Sequence, residues 1–510
     1  MESFDIMNDY KKTNNKLIFI LSVILFLWLI LNVLNATSYF TPDEYYQIIE
    51  FASYKLGISS ATSLPWEFKE EIRQAFQPFL VYSLFKFLHL IQIDDSSTSV
   101  YILRILNSLF SVFSIVFFAL KSRSKFDPKF QNLYLIALCT FWVIPNYFFR
   151  FSQEIVAQNL YLIITGILIS KNISKKEYII TGILVGIAFL VRFQSIISFF
   201  GICIWSFLDK TNSLKINFKN LLGFCLGFIG IFGIGLLIDA WFYQGFVFVL
   251  YRYFYYNIVL GVANGFGTHP IYFYFMQILT IGSPIMGIII CTSWLGSIYK
   301  KAFSLPLIIF STNVVILSLI SHKEERFLFV VYLYIPFILM YFLQNIHFKS
   351  EQLRKKIVYA FLFVNFCIIL LSTLFHLQVL SDNEKSLQKY MTQNYKNQSF
   401  DLYYNGSCHP FMDKVKIDLY KDTQYLYHNF LMPKSYNDFD ITKVNQINTS
   451  RKNILYARKS IYLENINKGL KIGKGKIVQK SIPNFIDQLI DNNPILSKQF
   501  NNSIIYLVEF

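Results

Sequence analysis

Two adjacent carboxylates, Asp43 and Glu44, stand in the run Thr41-Pro42-Asp43-Glu44-Tyr45-Tyr46-Gln47, just after the first long apolar stretch of the chain. A carboxylate at a membrane edge can take the proton from an attacking hydroxyl. The same residues also spell a helix start, with Thr41 as N-cap, Pro42 at N1 and Glu44 at N3, and Asp43 favourable to the helix dipole. The two roles are compatible, because a cap fixes one carboxylate and leaves the other projecting. A second concentration of charge is Ser321-His322-Lys323-Glu324-Glu325-Arg326-Phe327, five ionisable groups between two apolar spans. It reads either as a solvated turn whose charges pair among themselves or as an anion site in which Arg and Lys stabilise a phosphate leaving group. Arg150 and Arg192 fit interior ion pairs or further phosphate ligands. Trp66 reads as an interfacial anchor, and His269, in Gly267-Thr268-His269-Pro270, as a turn residue.

The elements that must position these groups are membrane helices. The 510 residues are 54% hydrophobic and only 15% charged, with a mean hydropathy of +0.42. A soluble domain carries about 25% charged residues. The net charge of +16 does not point to nucleic acid, because the basic residues fall in short clusters between apolar runs, as cytoplasmic loops require. Five of the six cysteines lie in apolar runs and only Cys408 in a polar one, so no disulfide framework is implied. The stretch from Leu17 to Leu34 follows Lys11, Lys12 and Lys16, is long, and reads as an uncleaved first helix rather than a signal peptide.

Apolar stretches long enough to span recur at 17–39, 98–120, 131–149, 155–170, 178–207, 219–238, 271–296, 303–320, 327–345 and 357–377. Basic clusters separate them: Lys121 to Lys129, Lys171 to Lys176, Lys210 to Lys219, Lys300 with Lys301, and Lys349 to Lys356. Placing all of these in the cytoplasm requires 178–207 to enter and leave on one side, as two short helices turning near Arg192-Phe193-Gln194. The total is then about 11 transmembrane helices. The other face collects the loop 40–97, the turn Arg150 to Glu154, Arg192, the loop 239–270, the loop 321–326 and the tail. After Asp43, the residues Tyr45, Ile48, Ile49, Ala52 and Leu56 make one apolar stripe, which predicts a helix lying along the interface.

The tail 378–510 is hydrophilic, with strand-like runs such as 503–508, and reads as a small α/β domain on the non-cytoplasmic face, after a membrane domain over 1–377. There is no internal repeat, no HExxH or paired CxxC spacing, and no glycine-rich nucleotide loop. Charges gathered at one edge without a repeat speak against a transporter, whose sites lie at mid-membrane.

The motifs resemble glycosyltransferase family 22, the membrane mannosyltransferases that use a lipid-phosphate mannose donor. Thr41-Pro42-Asp43-Glu44-Tyr45-Tyr46-Gln47, then Leu64-Pro65-Trp66-Glu67 with Arg73 and Pro78, look like its first luminal loop. His322-Lys323-Glu324-Glu325-Arg326-Phe327 looks like its luminal His-Lys-Glu motif, and Asp239-Ala240-Trp241-Phe242-Tyr243 with the Gly267–Pro270 turn like its central segment. The order holds over about 40–345. Within the family the nearest likeness is to the enzymes adding the third mannose to the GPI glycolipid, and Cys408-His409-Pro410 resembles a segment of their tail. Residues 48–57 and the Arg192 turn look more like bacterial members.

That resemblance implies an all-α polytopic fold of the GT-C type with interfacial helices in the first loop. It implies a polyprenyl-phosphate mannose donor, a glycolipid acceptor, an inverting transfer, and no nucleotide sugar or obligatory metal. Asp43 would be the base, with Glu44 beside it. His322, Lys323, Arg326 and Arg192 would hold the donor phosphate. Gln47, Trp66, Glu67, Arg73, Arg150, Glu154, Gln194, Asp239, His269 and Glu325 would line the substrate cavity. The non-cytoplasmic face would be the endoplasmic reticulum lumen in a eukaryote and the periplasm in a bacterium. The alternatives are another sugar transferase of the same fold type, acting in protein O-mannosyl or lipid-A-type transfer, or a polytopic lipid or solute transporter.

Overall fold

The computed structural model describes residues 2–35, 41–59, 61, 64–93, 96–170, 173–208, 218–345 and 351–374. Of the tail it describes 387, 390–391, 394–395, 400–404, 436–440, 452–467, 475–482, 484–494, 497, 501 and 504–510. Cys408 and the basic residues Lys171, Lys210, Lys215 and Lys349 lie outside the described residues. The chain divides into two compact units. One holds Met1–Leu34, Trp66–Phe87 and Tyr101–Leu370; the other holds Asn35–Pro65, Leu88–Val100 and Leu371–Phe510.

The first unit is helical. Among the described residues four helices are long and apolar enough to cross a membrane, over Asn15–Leu34, Thr98–Lys125, Leu221–Tyr243 and Glu351–Ser372. Shorter apolar helices include Phe193–Leu208, Pro284–Tyr299 and Leu305–Leu319. The 178–207 stretch breaks where the charges require. The helix Lys175–Val191 ends at Arg192, a tight turn Phe193–Ser195 follows, and Ile196–Leu208 leaves. The second half doubles back on the first. A cavity of ≈ 80 Å³ is lined both by Tyr178 and Thr181 near the start of one helix and by Cys203 and Ser206 near the end of the other.

Three other expected spans are interrupted. The stretch 131–149 forms Pro128–Cys139 and Val143–Tyr147 rather than one helix. At the break Asn365 accepts from Trp142 N at 3.0 Å and donates to Thr140 O at 2.8 Å, so a side chain meets backbone groups that a helix would otherwise satisfy. The stretch 271–296 divides at Gly282, whose φ of 69° suits glycine, and restarts at Ser283, whose hydroxyl caps Met286 N. Residues 327–345 begin as tight turns, Glu325–Val330 and Tyr332–Tyr334, before the helix Ile335–Asn345.

The helices Lys175–Val191 and Phe218–Tyr243 pack backbone to backbone. A Cβ built on Gly182 would sit 2.1 Å from the Phe224 carbonyl oxygen, and one on Gly227 would sit 2.4 Å from that of Ile179. Small residues four apart, Gly182 and Gly186 against Gly223 and Gly227, allow this approach, as in helix pairs within lipid. Contacts advance together along both helices, from Ile179 with Gly223 to Leu190 with Gly235, so the pair is parallel.

In the second unit, residues 42–55 are helical throughout, with a wider π-helical turn at Tyr45–Ile49. Every residue from Glu44 to Ser53 is buried. This corrects the expected interfacial stripe: a helix buried on every side is a core helix, and Tyr46, Gln47, Glu50 and Phe51 share the burial of the predicted apolar face.

The tail contributes a five-stranded sheet in the order β2-β1-β3-β5-β4, with β1 Phe400–Tyr404, β2 Tyr436–Asp440, β3 Lys452–Arg458, β4 Lys476–Lys480 and β5 Ile505–Glu509. β1 runs parallel to β2 and β3, while β5 is antiparallel to β3 and β4. Alternate residues build two cores: Leu402, Ile454 and Leu507 belong to one, and Tyr403, Leu455 and Tyr506 to the other. Buried Asp487 takes hydrogen bonds from Lys459 at 2.5 Å, Lys480 at 2.6 Å and the Tyr506 hydroxyl at 2.6 Å.

Candidate active site

Glu154 stands in the first turn of the helix Gln153–Leu168, where the helix dipole favours a carboxylate. Its Oε1 accepts from Arg192 Nη1 at 2.7 Å and lies 3.6 Å from Arg326 Nη1. Both partners of the shorter pair are almost fully enclosed, at 5% and 2% side-chain exposure. The Phe327 ring lies against both guanidiniums, with Arg192 4.8 Å and Arg326 5.9 Å from its centroid. The aromatic face thus adds cation–π attraction to the ion pairs.

The loop 321–326 completes the cluster. Arg326 donates from Nε to Glu324 Oε2 at 2.6 Å and from Nη2 to Oε1 at 3.0 Å, the two-pronged arrangement a guanidinium also makes with phosphate. His322 Nε2 stands 3.2 Å from Glu324 Oε1, and its Nδ1 is 2.8 Å from Gly267 O. Lys323 is buried and donates to His269 O at 2.8 Å. Burial opposes the Glu324 charge, but hydrogen bonds from His322 and Arg326, with their charges, hold the carboxyl well below its usual range. The hydrogen bond to Glu324 raises His322 against the opposing effect of burial. Burial lowers Lys323. Arg192 and Arg326 face Glu154 and Glu324, so these four charges balance, and His322 on Glu324 with the neighbouring Lys323 on His269 O tips the loop to positive.

A second group of polar residues adjoins it. Gln194 Nε2 donates to the Tyr253 hydroxyl, and Phe193 packs on the same ring. Arg73 lies over that ring, 5.9 Å from its centroid, and reaches Glu67 Oε1 at 3.5 Å. Trp66 stacks on Phe266, which meets the His322 ring edge-on. Segments near residues 66–73, 154, 192–194, 253–267 and 321–327 therefore form one continuous region. Beside it an open cleft of ≈ 630 Å³ is lined by Asn264, Thr268, His269, Ser321 and Lys323.

Other predicted residues take different places. Asp239 Oδ1 accepts from Ala75 N at 2.8 Å, and Tyr243, one turn later, donates to Arg73 O at 2.7 Å. These two side chains fasten segment 73–75 to the end of a membrane helix. His269 bonds through its backbone, accepting from Lys323 and donating from N to Ser321 O at 3.1 Å, while its ring stacks on Phe273. Glu325 is exposed and its carbonyl accepts from Gln277 at 2.9 Å. Arg150 is enclosed, its guanidinium 4.8 Å from the Phe149 centroid and its carbonyl bonded by Asn107 at 2.8 Å. Asp43, half-buried, with buried Glu44 and Gln47, belongs to the second unit.

Residues 19–410 match the model of the Alg9-like mannosyltransferase family. The chain belongs to that family. As a mannosyltransferase it is similar to the GPI alpha-1,2-mannosyltransferase 3 of Danio rerio, at 26% identity over 407 residues, 79% of this chain and 73% of the relative. The Homo sapiens protein of the same name is 24% identical over 387 residues, 74% of this chain and 67% of its own. Among solved structures, ArnT from Cupriavidus metallidurans bound to undecaprenyl phosphate superposes with a TM-score of 0.48 at 10% identity, covering 96% of this chain and 97% of that one.

The cluster of this mannosyltransferase contains residues that the sequence reading did not assign. Glu324 is its central carboxylate, Phe327 the ring between two arginines, and Tyr253 the contact of both Gln194 and Arg73. Glu324 carried a signal: it stands two residues before Arg326 and two after His322, within reach of both. Tyr253 carried none, being one of several aromatics in the run Tyr251 to Tyr256.

Proposed function

We propose that the enzyme transfers mannose from a polyprenyl-phosphate mannose to a glycolipid acceptor at the non-cytoplasmic face of a membrane, with inversion at the sugar carbon. The acceptor hydroxyl attacks C1 from the face opposite the phosphate, and the C1–O bond to phosphate breaks with its electron pair leaving on phosphate. The acceptor proton passes to the Asp43 carboxylate. A β-linked donor gives an α-mannoside. The names of the relatives support a GPI glycolipid as acceptor and an α-1,2 linkage.

The observation that carries this reading is the positive cluster built around Arg326. Its two-nitrogen grip on Glu324 is the grip it would offer a phosphate, with His322 on the same oxygen side and Lys323 and Arg192 adding charge. Donor binding then exchanges one anion for another, and the departing phosphate is stabilised without a metal. Glu44 would orient the loop or meet the acceptor. Arg73, Glu67, Trp66, Gln194 and Gln47 are the proposed sugar and acceptor contacts.

The test is transfer of labelled mannose from polyprenyl-phosphate mannose into membrane lipids, comparing wild type, Asp43→Asn and Glu44→Gln at equal protein. The expected result is transfer by wild type, loss of about 10²–10⁴-fold in Asp43→Asn, and a smaller loss in Glu44→Gln. Equal transfer by wild type and Asp43→Asn would remove Asp43 as base. Wild-type transfer from a nucleotide sugar but not from the lipid donor would overturn the donor class.

A further inference from the structure

The loop between the helices Phe218–Tyr243 and Phe273–Thr280 contains a short helix with an unusual distribution of exposure. Val249–Phe254 is α-helical and Tyr255–Val259 continues as a π-helical turn. Tyr251 is 61% exposed, Phe254 54%, Ile258 54% and Val259 59%. The spacing 251, 254/255, 258/259 is that of one helical face. The opposite side is more enclosed and more polar: Tyr253 meets Gln194 and Phe193, Tyr256 bonds Glu70, and Asn257 donates to Tyr253 O. Arg252, at the border, pairs with Glu71 at 2.9 Å. The helix therefore turns its polar side inward and its apolar stripe outward, the reverse of a surface helix in water.

That stripe continues an apolar belt. Before it, Leu237 and Trp241 on the spanning helix Leu221–Tyr243 are exposed, then Phe246 at 80%; after it come exposed Ile271, Tyr272 and Phe275. Aromatic residues of this kind collect where hydrocarbon meets headgroup. We propose that segment 246–260 lies on the outer boundary of the bilayer with Tyr251, Phe254 and Ile258 in the acyl region, and that Tyr253 on its inner side ties this lipid-facing helix to the Arg192–Gln194 turn. A long isoprenoid arriving within the membrane would meet this helix beside the turn that carries Arg192. The second half of the proposal rests on the lipid-donor reading above; the first does not.

The experiment has two arms, both on the full chain in proteoliposomes. Phosphatidylcholine with a diazirine in its acyl chain is photolysed and the adducts are mapped by mass spectrometry. Adducts at Tyr251, Phe254 and Ile258, with Tyr253 and Asn257 clean, are expected. Adducts confined to spanning helices such as Leu221–Tyr243, with none in 246–260, would overturn the placement, as would cross-links from Tyr251 to a second copy of the chain. The second arm measures transfer by Phe254→Glu/Ile258→Glu from a long-chain polyprenyl donor and from a short, water-soluble analogue. A loss of about tenfold or more on the long-chain donor alone is expected. Equal losses on both donors would overturn the coupling and leave the photolabelling result standing. The labelling needs no sugar transfer, so failure of the mannosyl-transfer reading is distinguishable from failure of the placement.

Discussion

Arg326 holds Glu324 through two nitrogens, at 2.6 Å from Nε and 3.0 Å from Nη2, although the two residues are only two apart in the chain. The spacing puts both side chains within reach of each other, and the Tyr274 hydroxyl fastens the loop there by donating to Glu324 O at 3.2 Å. The pairing leaves a planar fork next to a partly exposed carboxylate that another anion can replace. Arg326→Lys keeps the charge and loses the fork. Steady-state transfer should fall about 10- to 100-fold, the worth of a hydrogen bond to a charged group. An unchanged rate would mean that the grip on Glu324 is structural only.

Glu154 and Arg192 are buried together, so removing one charge strands the other. Glu154→Gln should cost about 3–5 kcal/mol, read as a lowered unfolding midpoint in detergent. The double change Glu154→Leu/Arg192→Met should recover much of that stability while abolishing transfer. A single mutant as stable as wild type would mean that Arg192 finds another partner.

The loop 321–326 should respond to pH through His322. Its imidazole is held above the ordinary 6.5, first by the hydrogen bond to Glu324. A raised value in the folded state means that the imidazolium's contribution is complete below 6.5 and is lost as pH rises through the raised value. Glu324 works in the opposite sense: held below the ordinary 4.5, its contribution is present above that value and is lost only as pH falls toward the depressed one. Between these limits both are intact. The donor KM should therefore rise as pH increases through the raised imidazole value, above the ordinary 6.5, and His322→Gln should flatten the profile. A wild-type KM independent of pH there would exclude His322 from donor binding.

The glycine contact supports the turn that carries Arg192. Gly182→Ala places a methyl 2.1 Å from the Phe224 carbonyl oxygen, so the helix pair must separate. A cost of about 1–3 kcal/mol is expected, with a loss of transfer because the same helix ends at Arg192. Gly230→Ala, with open space around its Cβ position, is the control and should be neutral or slightly stabilising. Thermal unfolding and transfer assays on both variants check this. A Gly182→Ala protein indistinguishable from the control would rule out the close packing.

The sequence by itself determined the membrane class, because apolar run length and the placement of basic residues are one-dimensional properties. It also located the break at Arg192, since the basic residues before and after 178–207 oblige the chain to return. The charged motif at 322–327 and the family were legible from residue types and order. Only the tertiary structure decided which charge meets which. Glu154 meets Arg192 across 38 residues, and Asp239 meets the Ala75 backbone across 164. Nothing in local sequence separates an aspartate that fastens a loop from one that lines a cavity. The helix after Asp43 makes the same point: its stripe predicted one exposed face, but its burial on every side depends on what packs around it, and periodicity carries no information about that.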